Sequence, residues 1–342
     1  MAKIHTKEKT VRLALVGGET LLGRELQEVL ERRIGAAIKP YAASGEGNFG
    51  EQEGEAVYVE PLNAQTARDD QAIVIAGSRE GALKSYELAK SAGGHPVVID
   101  CTGYLENQPE ARLLTSLIGE SEPTQSWLLV IAHPAASASA LVLQRLARYR
   151  PVRRSILHIF EPASERGKRG ISELHQQTTG LLSFKSLEKD VFDAQVSFNL
   201  LPQYGEDAAV KLSAVEERIE RNLAAALARG NANDLIPVPS VRVVQAPVFH
   251  GYSISAWVEF EGDIAVGELG EALASAQIEV RGMNDEPPDN VGVASQSGLI
   301  AGDIRIDRNN ARAAWLWIVG DNLRLTADAA AEAVSNVVKE DE

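Results

Sequence analysis

Val11-Arg12-Leu13-Ala14-Leu15-Val16-Gly17-Gly18-Glu19-Thr20-Leu21-Leu22-Gly23 runs from an apolar stretch through a glycine turn into an amphipathic segment. Residues 11–16 read as a buried strand. Residues 20–33 read as a helix, with Leu22, Leu26, Val29 and Leu30 on one stripe. Strand, glycine turn and helix in that order open a dinucleotide-binding fold. The texture recurs downstream. Residues 72–77 form an apolar run followed by a helical pattern over 81–91, and 97–100 and 128–132 read as further buried strands. Residues 137–148 read as a helix opened by small residues after the turn His133-Pro134. Strands alternating with helices predict an α/β domain, a parallel sheet covered on both faces.

After residue 151 the pattern changes. Alternating β-rich stretches fall at 155–160, 241–249, 253–260 and 313–319, with helices expected over 170–183 and 215–229. This is an α+β pattern with a mixed or antiparallel sheet. Ala330, Ala331, Val334, Val337 and Val338 then recur at helical spacing over 326–339. Residues 45–54 are polar and glycine-rich and read as a mobile loop.

Composition narrows the function classes. The chain has 342 residues, 44% hydrophobic and 24% charged, enough for two globular domains. The net charge of -14 argues against nucleic acid as a main partner, because phosphate recognition needs a basic face. Arg145, Arg148, Arg150, Arg153 and Arg154 are the local exception, read as a solvated helix end or as a site for an anion. No apolar run is long enough to span a membrane, and the first ten residues lack the apolar core of a secretory signal. The single cysteine, Cys101, forbids an intramolecular disulfide and suits a reducing cytoplasm. It reads as a small buried hydrophobe or as a reactive thiol. The six histidines show no metal-ligand spacing, and no metal is expected.

Several stretches, in order, carry a resemblance: Leu15-Val16-Gly17 through Gly23, Val97-Val98-Ile99-Asp100, Gly167-Lys168-Arg169-Gly170-Ile171-Ser172-Glu173-Leu174, Phe198-Asn199-Leu200-Leu201-Pro202-Gln203, Ala246-Pro247-Val248-Phe249-His250-Gly251-Tyr252-Ser253 and Trp317-Ile318-Val319-Gly320-Asp321-Asn322-Leu323-Arg324. In this order and spacing the chain resembles the aspartate-semialdehyde dehydrogenase family from about Val11 to Val338. The resemblance implies a Rossmann-type cofactor domain over 10–134 plus 322–342. It implies an α+β catalytic-like, dimerisation domain over 135–321, and a homodimer. It also implies a covalent thioester reaction: a thiolate attacks an aldehyde, hydride leaves to NADP, and phosphate displaces the acyl group.

Position by position, the expected machinery is missing. The family's Asn-Pro-Asn-Cys-Ser is His133-Pro134-Ala135-Ala136-Ser137, so the nucleophile position is Ala136. Ser137 keeps a hydroxyl and is expected to cap the following helix. The Gly-His-Ser of the acid-base histidine is Gly251-Tyr252-Ser253; in a regular strand His250 would share a face with Tyr252 and could offer an imidazole. The supporting glutamine becomes Glu161, a carboxylate expected to repel an anionic substrate, and the substrate-gripping arginine becomes Gln245. A phosphate-binding lysine falls near Glu216 and a further arginine position falls on Glu106. In the glycine loop the cofactor-binding positions would be Gly17, Thr20, Leu21, Leu22 and Gly23, with Ser44 after the second strand. Thr20 replaces the middle glycine, Glu19 adds a charge that disfavours a diphosphate, and the Ala43-Ser44-Gly45-Glu46 run favours NAD over NADP.

Two readings follow. One is a non-catalytic paralogue that keeps fold and homodimer, or pairs with an active relative as a heteromer. The other is an NAD(P)-dependent oxidoreductase acting on another carbonyl without a thioester, with Tyr252, His250 and Glu161 moving protons. The joint losses count against the family's own reaction.

Overall fold

Alternate residues of the opening strand serve two different cores, and this makes it a central strand of a covered sheet. Leu13 and Leu15 pack with Leu26, Val29 and Leu30 of the following helix, whereas Ala14 and Val16 pack with Ala82, Tyr86 and Ala89 of another. The computed structural model describes residues 11–42, 47–52, 55–64, 70–115, 126–229 and 236–340. The chain divides into two units, one of Met1–Leu114, Glu120–Ile131 and Ala327–Glu342, the other of Thr115–Gly119 and Ala132–Thr326.

The first unit contains β1 (Arg12–Val16), α1 (Leu21–Ile34), β2 (Ala37–Tyr41), β3 (Asn48–Gln52), β4 (Glu55–Val59), β5 (Ala72–Ile75), α2 (Arg79–Ser91), β6 (Val97–Asp100), β7 (Ala111–Leu114) and β8 (Leu128–Ile131). Its six-stranded sheet has the order β2-β1-β5-β6-β8-β7, and every pairing is parallel. This is the doubly wound arrangement expected from the alternation of strands and helices. Of the stretch over 45–54 expected as a mobile loop, Asn48–Gln52 pairs antiparallel with β4, and residues 45, 46, 53 and 54 lie outside the described residues. The strand-favouring residue types Phe49, Val57 and Tyr58 fall in that ladder. Ser44 lies outside the described residues.

The second unit contains α3 (Pro134–Tyr149), β9 (Val152–Glu161), α4 (Gly167–Leu182), α5 (Leu212–Leu227), β10 (Ser240–Gln245), β11 (Tyr252–Phe260), α6 (Val266–Leu273), β12 (Ile278–Val280), β13 (Leu299–Asp307) and β14 (Asn310–Gly320). Helix α7 (Asn322–Glu340) follows, and its Ala327, Ala330, Ala331 and Val334 join the first unit's core. The second sheet runs β10-β9-β11-β14-β13-β12 and is mixed, with parallel pairs at both edges. Leu157, Ile159, Ile254 and Leu316 on its inner face share one core with Leu143, Ile219, Leu223 and Leu269 of the helices. The strand expected over 241–249 stops at Gln245, and Pro247 follows without an N–H to continue a ladder.

Gly17 and Gly23 have packing roles of their own. A Cβ on Gly17 would lie 2.5 Å from the Gly77 Cα, and one on Gly23 would lie 2.0 Å from the Gly17 carbonyl oxygen. Gly17 also has φ +90°, a region that disfavours side chains. Gly23→Ala is therefore expected to cost about 1–3 kcal/mol in urea unfolding through overpacking alone. An unchanged midpoint would show that α1 can shift away from the turn.

Candidate functional site

Pro134 is the first residue of α3, and its missing N–H is one that the helix end leaves unbonded in any case. His133 is the cap: its Nδ1 accepts from the Ala135 N–H at 3.3 Å. The His133 N–H in turn donates to Asn222 Oδ1 on α5 at 2.7 Å, which fixes where the helix begins. Ala136 and Ser137 both lie inside the first turn, their N–H groups reaching the His133 carbonyl at 2.9 and 3.1 Å. Ser137 is thus not the cap that its position in the sequence suggested; the helix starts at Pro134, three residues before the expected start at Ser137. Ala136 is fully buried, and its methyl belongs to the core.

His133 was not among the expected site residues, yet it faces Tyr252. The rings lie 5.9 Å apart, and His133 Nε2 is 3.5 Å from the Tyr252 hydroxyl. With Nδ1 accepting from a backbone amide, the neutral ring carries its proton on Nε2. Burial pushes the His133 pKa well below the usual 6.5, and the charges of Arg218 and Arg166 add to this. The Tyr252 hydroxyl donates to the Glu165 carboxyl, and its own pKa is raised by burial and by Glu165 and Glu161. Burial, then the Glu161 charge, raises the Glu165 pKa as well. Asn322 completes this line: its Nδ2 donates to Glu165 at 2.7 Å, and its Oδ1 accepts from Ser164 Oγ and the Gly251 N–H, each at 3.1 Å.

Beside it lies an ion pair. Glu161, at the end of β9, is fully buried and paired with Arg166. The Tyr204 hydroxyl is 3.2 Å from the same Glu161 oxygen and donates to Gln245 Oε1 at 2.6 Å. Gln245 Nε2 donates to the carbonyls of Glu161 and Ala246 at 2.9 and 2.8 Å. The Arg166 pKa is raised: burial opposes its charge, but Glu161, Tyr204 and Glu165 outweigh that. Glu161 is therefore not the bare repulsive carboxylate expected from its replacement of an amide. A guanidinium five residues along the chain neutralises it. Glu165, Arg166 and Tyr204 were missed because nothing in their spacing marks them; only the fold brings them to Glu161.

Other expected positions separate. β11 begins at Tyr252, and Gly251 before it has φ +81°, so the period-two alternation that would align His250 with Tyr252 does not extend to His250. The carbonyls of His250 and Gly251 instead accept from Asn290 Nδ2 at 3.3 and 2.6 Å. Glu216 on α5 accepts the Val243 N–H at 2.7 Å and pairs with Arg242, tying the helix to β10. Glu106 lies in the first unit on the turn after β6. The arginine-rich stretch is shared out among separate partners. Arg145 donates to the carbonyls of Ala272 and Ala274 at the end of α6, and Arg154 pairs with Glu259. Burial, then the Asp100 charge, raises the Cys101 thiol well above its usual range, which disfavours the thiolate there.

In the first unit, the Thr20 hydroxyl caps α1. It accepts from the Gly23 N–H at 2.9 Å and lies 2.8 Å from the Gly17 carbonyl oxygen and 3.1 Å from that of Ala76. Leu21 and Leu22 are the first two residues of that helix, and Leu22 packs on the core. Among the described residues no group of three or more His, Cys, Asp or Glu side chains could hold a metal ion, and no helix is long and apolar enough to cross a membrane.

His133 gives the site a pH signature. Its folded pKa lies below its unfolded value, so its contribution is complete above about pH 6.5 and is lost as pH falls from there toward the folded value. Melts between pH 7.5 and 5 should show stability falling with a limiting slope of about 1.4 kcal/mol per pH unit from this group, flattened in His133→Gln. Identical slopes in the two proteins would contradict a buried neutral imidazole.

The comparisons agree with this architecture. A family model described as the semialdehyde dehydrogenase dimerisation domain matches residues 143–325. A USG-1 protein homolog of Pseudomonas aeruginosa is 32% identical over 241 residues, 70% of each chain. An aspartate-semialdehyde dehydrogenase of Rickettsia typhi is 28% identical over 332 residues, 92% of this chain and 94% of that one. Among solved structures, a probable aspartate-semialdehyde dehydrogenase from Pseudomonas aeruginosa superposes with a TM-score of 0.79 at 26% identity, covering 97% of this chain and 99% of its own. The aspartate semialdehyde dehydrogenase II of Vibrio cholerae, solved with ASA, shares the fold with a TM-score of 0.78 at 21% identity, over 97% and 99% of the two chains. Sequence and structure together place this chain in the semialdehyde dehydrogenase family.

Proposed function

We propose that this chain is a non-catalytic member of the family that keeps the fold, pairs with a second copy of itself and acts by binding rather than by turnover. The observation that carries this reading is Ala136, fully buried in the first turn of α3 at the position of the family's nucleophile. The sole thiol of the chain, Cys101, lies in the other unit, buried after β6. Loss of a nucleophile alone costs roughly 10⁴–10⁶ in rate. The neighbouring groups support the same reading. Gln245 has its amide engaged by two carbonyls and Tyr204, and the Tyr252 hydroxyl is held between His133 and Glu165. Neither is presented to a substrate.

The glycine loop fits a dinucleotide poorly. The Thr20 hydroxyl takes the Gly23 amide that a helix N-terminus would otherwise offer to a phosphate, and the Thr20 side chain stands where a pyrophosphate needs bare backbone. Gly17 and Gly23 are required by packing with or without a cofactor. NADP is present in the solved Candida albicans relative, which is 14% identical and shares the fold at a TM-score of 0.67.

A homodimer is supported by the description of the matched model and by the outward face of the second sheet, where Ile156 and Trp315 are exposed. The test is an assay with aspartate semialdehyde, phosphate and NADP or NAD, run on the wild type and on Ala136→Cys. Neither should exceed the blank, because a thiol alone does not restore a base at Tyr252 or a guanidinium at Gln245. Turnover by the wild type would overturn the reading. Micromolar binding of NAD, NADH, NADP or NADPH in calorimetry would revive the oxidoreductase alternative.

A further inference from the structure

Two carboxyl groups of the second unit's polar centre stand beside one guanidinium. Glu161, at the end of β9, is fully buried, and Glu165 is largely buried in the short 3₁₀ helix Ala163–Arg166. Arg166 makes its ion pair with Glu161 through Oε1. The second Glu161 oxygen, Oε2, is buried and receives no hydrogen bond among the described residues, so donors compensate that carboxylate only in part. Its field falls on Glu165. Ionising both groups leaves a net negative charge where water reaches poorly, and of two carboxyls in such a site one keeps its proton to a raised pH.

Glu165 is the member placed to keep it. Its partners on other elements are neutral donors: Asn322, at the start of α7, donates from Nδ2 at 2.7 Å, and Tyr252 of β11 donates its hydroxyl. The carbonyl oxygen of a protonated carboxyl accepts such bonds too. Beyond Tyr252 stands His133, with Arg218 of α5 acting on its imidazole. Tyr204 faces Glu161 and Arg166. Burial first, then Glu161, pushes Glu165 above the usual carboxylate range, against the opposing effects of Arg166, Asn322 and Tyr252.

The segment that carries Glu165 is tied to the stretch 246–251. The Ala163 N–H reaches the Val248 carbonyl at 2.8 Å and the Ser164 N–H that of Phe249 at 3.0 Å. Asn322 Oδ1 joins the same two segments, accepting from Ser164 Oγ and the Gly251 N–H. Asn322 thus holds Glu165 with one end of its amide and the joint between the segments with the other.

We propose that Glu165 keeps a proton in the folded protein at neutral pH and works as a pH-sensitive clasp. With the proton in place, Ala163–Arg166 stays closed on residues 246–251; its loss at higher pH sets two negative charges against one guanidinium and loosens the segment. A carboxyl held protonated by the fold contributes stability that is complete below its unfolded value of about 4.3 and is lost as pH rises through the folded value. The sign is opposite to that of His133.

The test is infrared spectroscopy of the wild type and Glu165→Gln at pH 7, with hydrogen exchange of the Ala163 and Ser164 amides from pH 5 to 8. The wild type should show a protonated-carboxyl band that fades at alkaline pH and that Glu165→Gln lacks. After division by intrinsic exchange rates, protection of the two amides in the wild type should fall relative to Glu165→Gln by up to about tenfold per pH unit. His133 is common to both proteins and cancels in that ratio. No band at pH 7 overturns the proposal. So does a band of equal size in Glu165→Gln, which would belong to Glu173 or Glu332, both also raised by burial. A protection ratio constant from pH 5 to 8 overturns the clasp. If Glu165→Gln does not fold, Tyr252→Phe decides: it removes a donor that favours ionised Glu165, so the band should persist to higher pH than in the wild type, and fading at the same pH overturns the assignment.

Discussion

The buried pair of Glu161 and Arg166 is the contact on which the second unit's polar centre depends. Neither charge could be left alone there. Removing a partner from a buried ion pair strands a charge, typically at a cost of about 3–5 kcal/mol. Around this pair the end of β9, the start of α4, Tyr204 and the end of β10 are drawn into one set of contacts. Glu165, Tyr252, His133 and Asn322 form a second line next to it, joined through the charges of Glu161 and Arg166. Polar groups that point at one another in this way offer little to a ligand, and a network of this kind adds rigidity and specificity to a core. In this chain the polar centre of the second unit is held together by contacts among its own residues.

The glycine loop of the first unit follows the same logic. A glycine motif is commonly read as a trace of a bound phosphate, yet Gly17 and Gly23 are needed here because backbone passes against backbone. Thr20 then satisfies the helix end from within. Glycine motif residues can thus report the packing of a fold as well as a bound ligand.

Much of the fold was legible because period and punctuation agree over long stretches: apolar runs, glycine turns and amphipathic helices alternate through the first unit, and the resemblance spans nearly the whole chain. Local backbone chemistry was harder to read. Helix α3 starts at Pro134 rather than at Ser137, Gly251 broke the alternation that would have aligned His250 with Tyr252, and Asn48–Gln52 pairs with β4 within a stretch that looks like a loop. Ala136, Glu161, Gln245 and Tyr252 could be singled out for inspection from the motifs around them. Their partners could not, since Glu165, Arg166, Tyr204 and His133 meet them only through tertiary contacts with no sequence period.

The measurement that bears most directly on the polar centre is a double-mutant cycle on Glu161→Gln and Arg166→Met, read by urea unfolding. If the pair is structural, each single change should cost about 3–5 kcal/mol, and the double variant should recover at least about 2 kcal/mol relative to the sum of the two. Single changes that leave stability equal or higher would contradict it. A carboxylate retained against the stability of the fold would mark a working site, and Glu161 would then be held for a ligand rather than for Arg166.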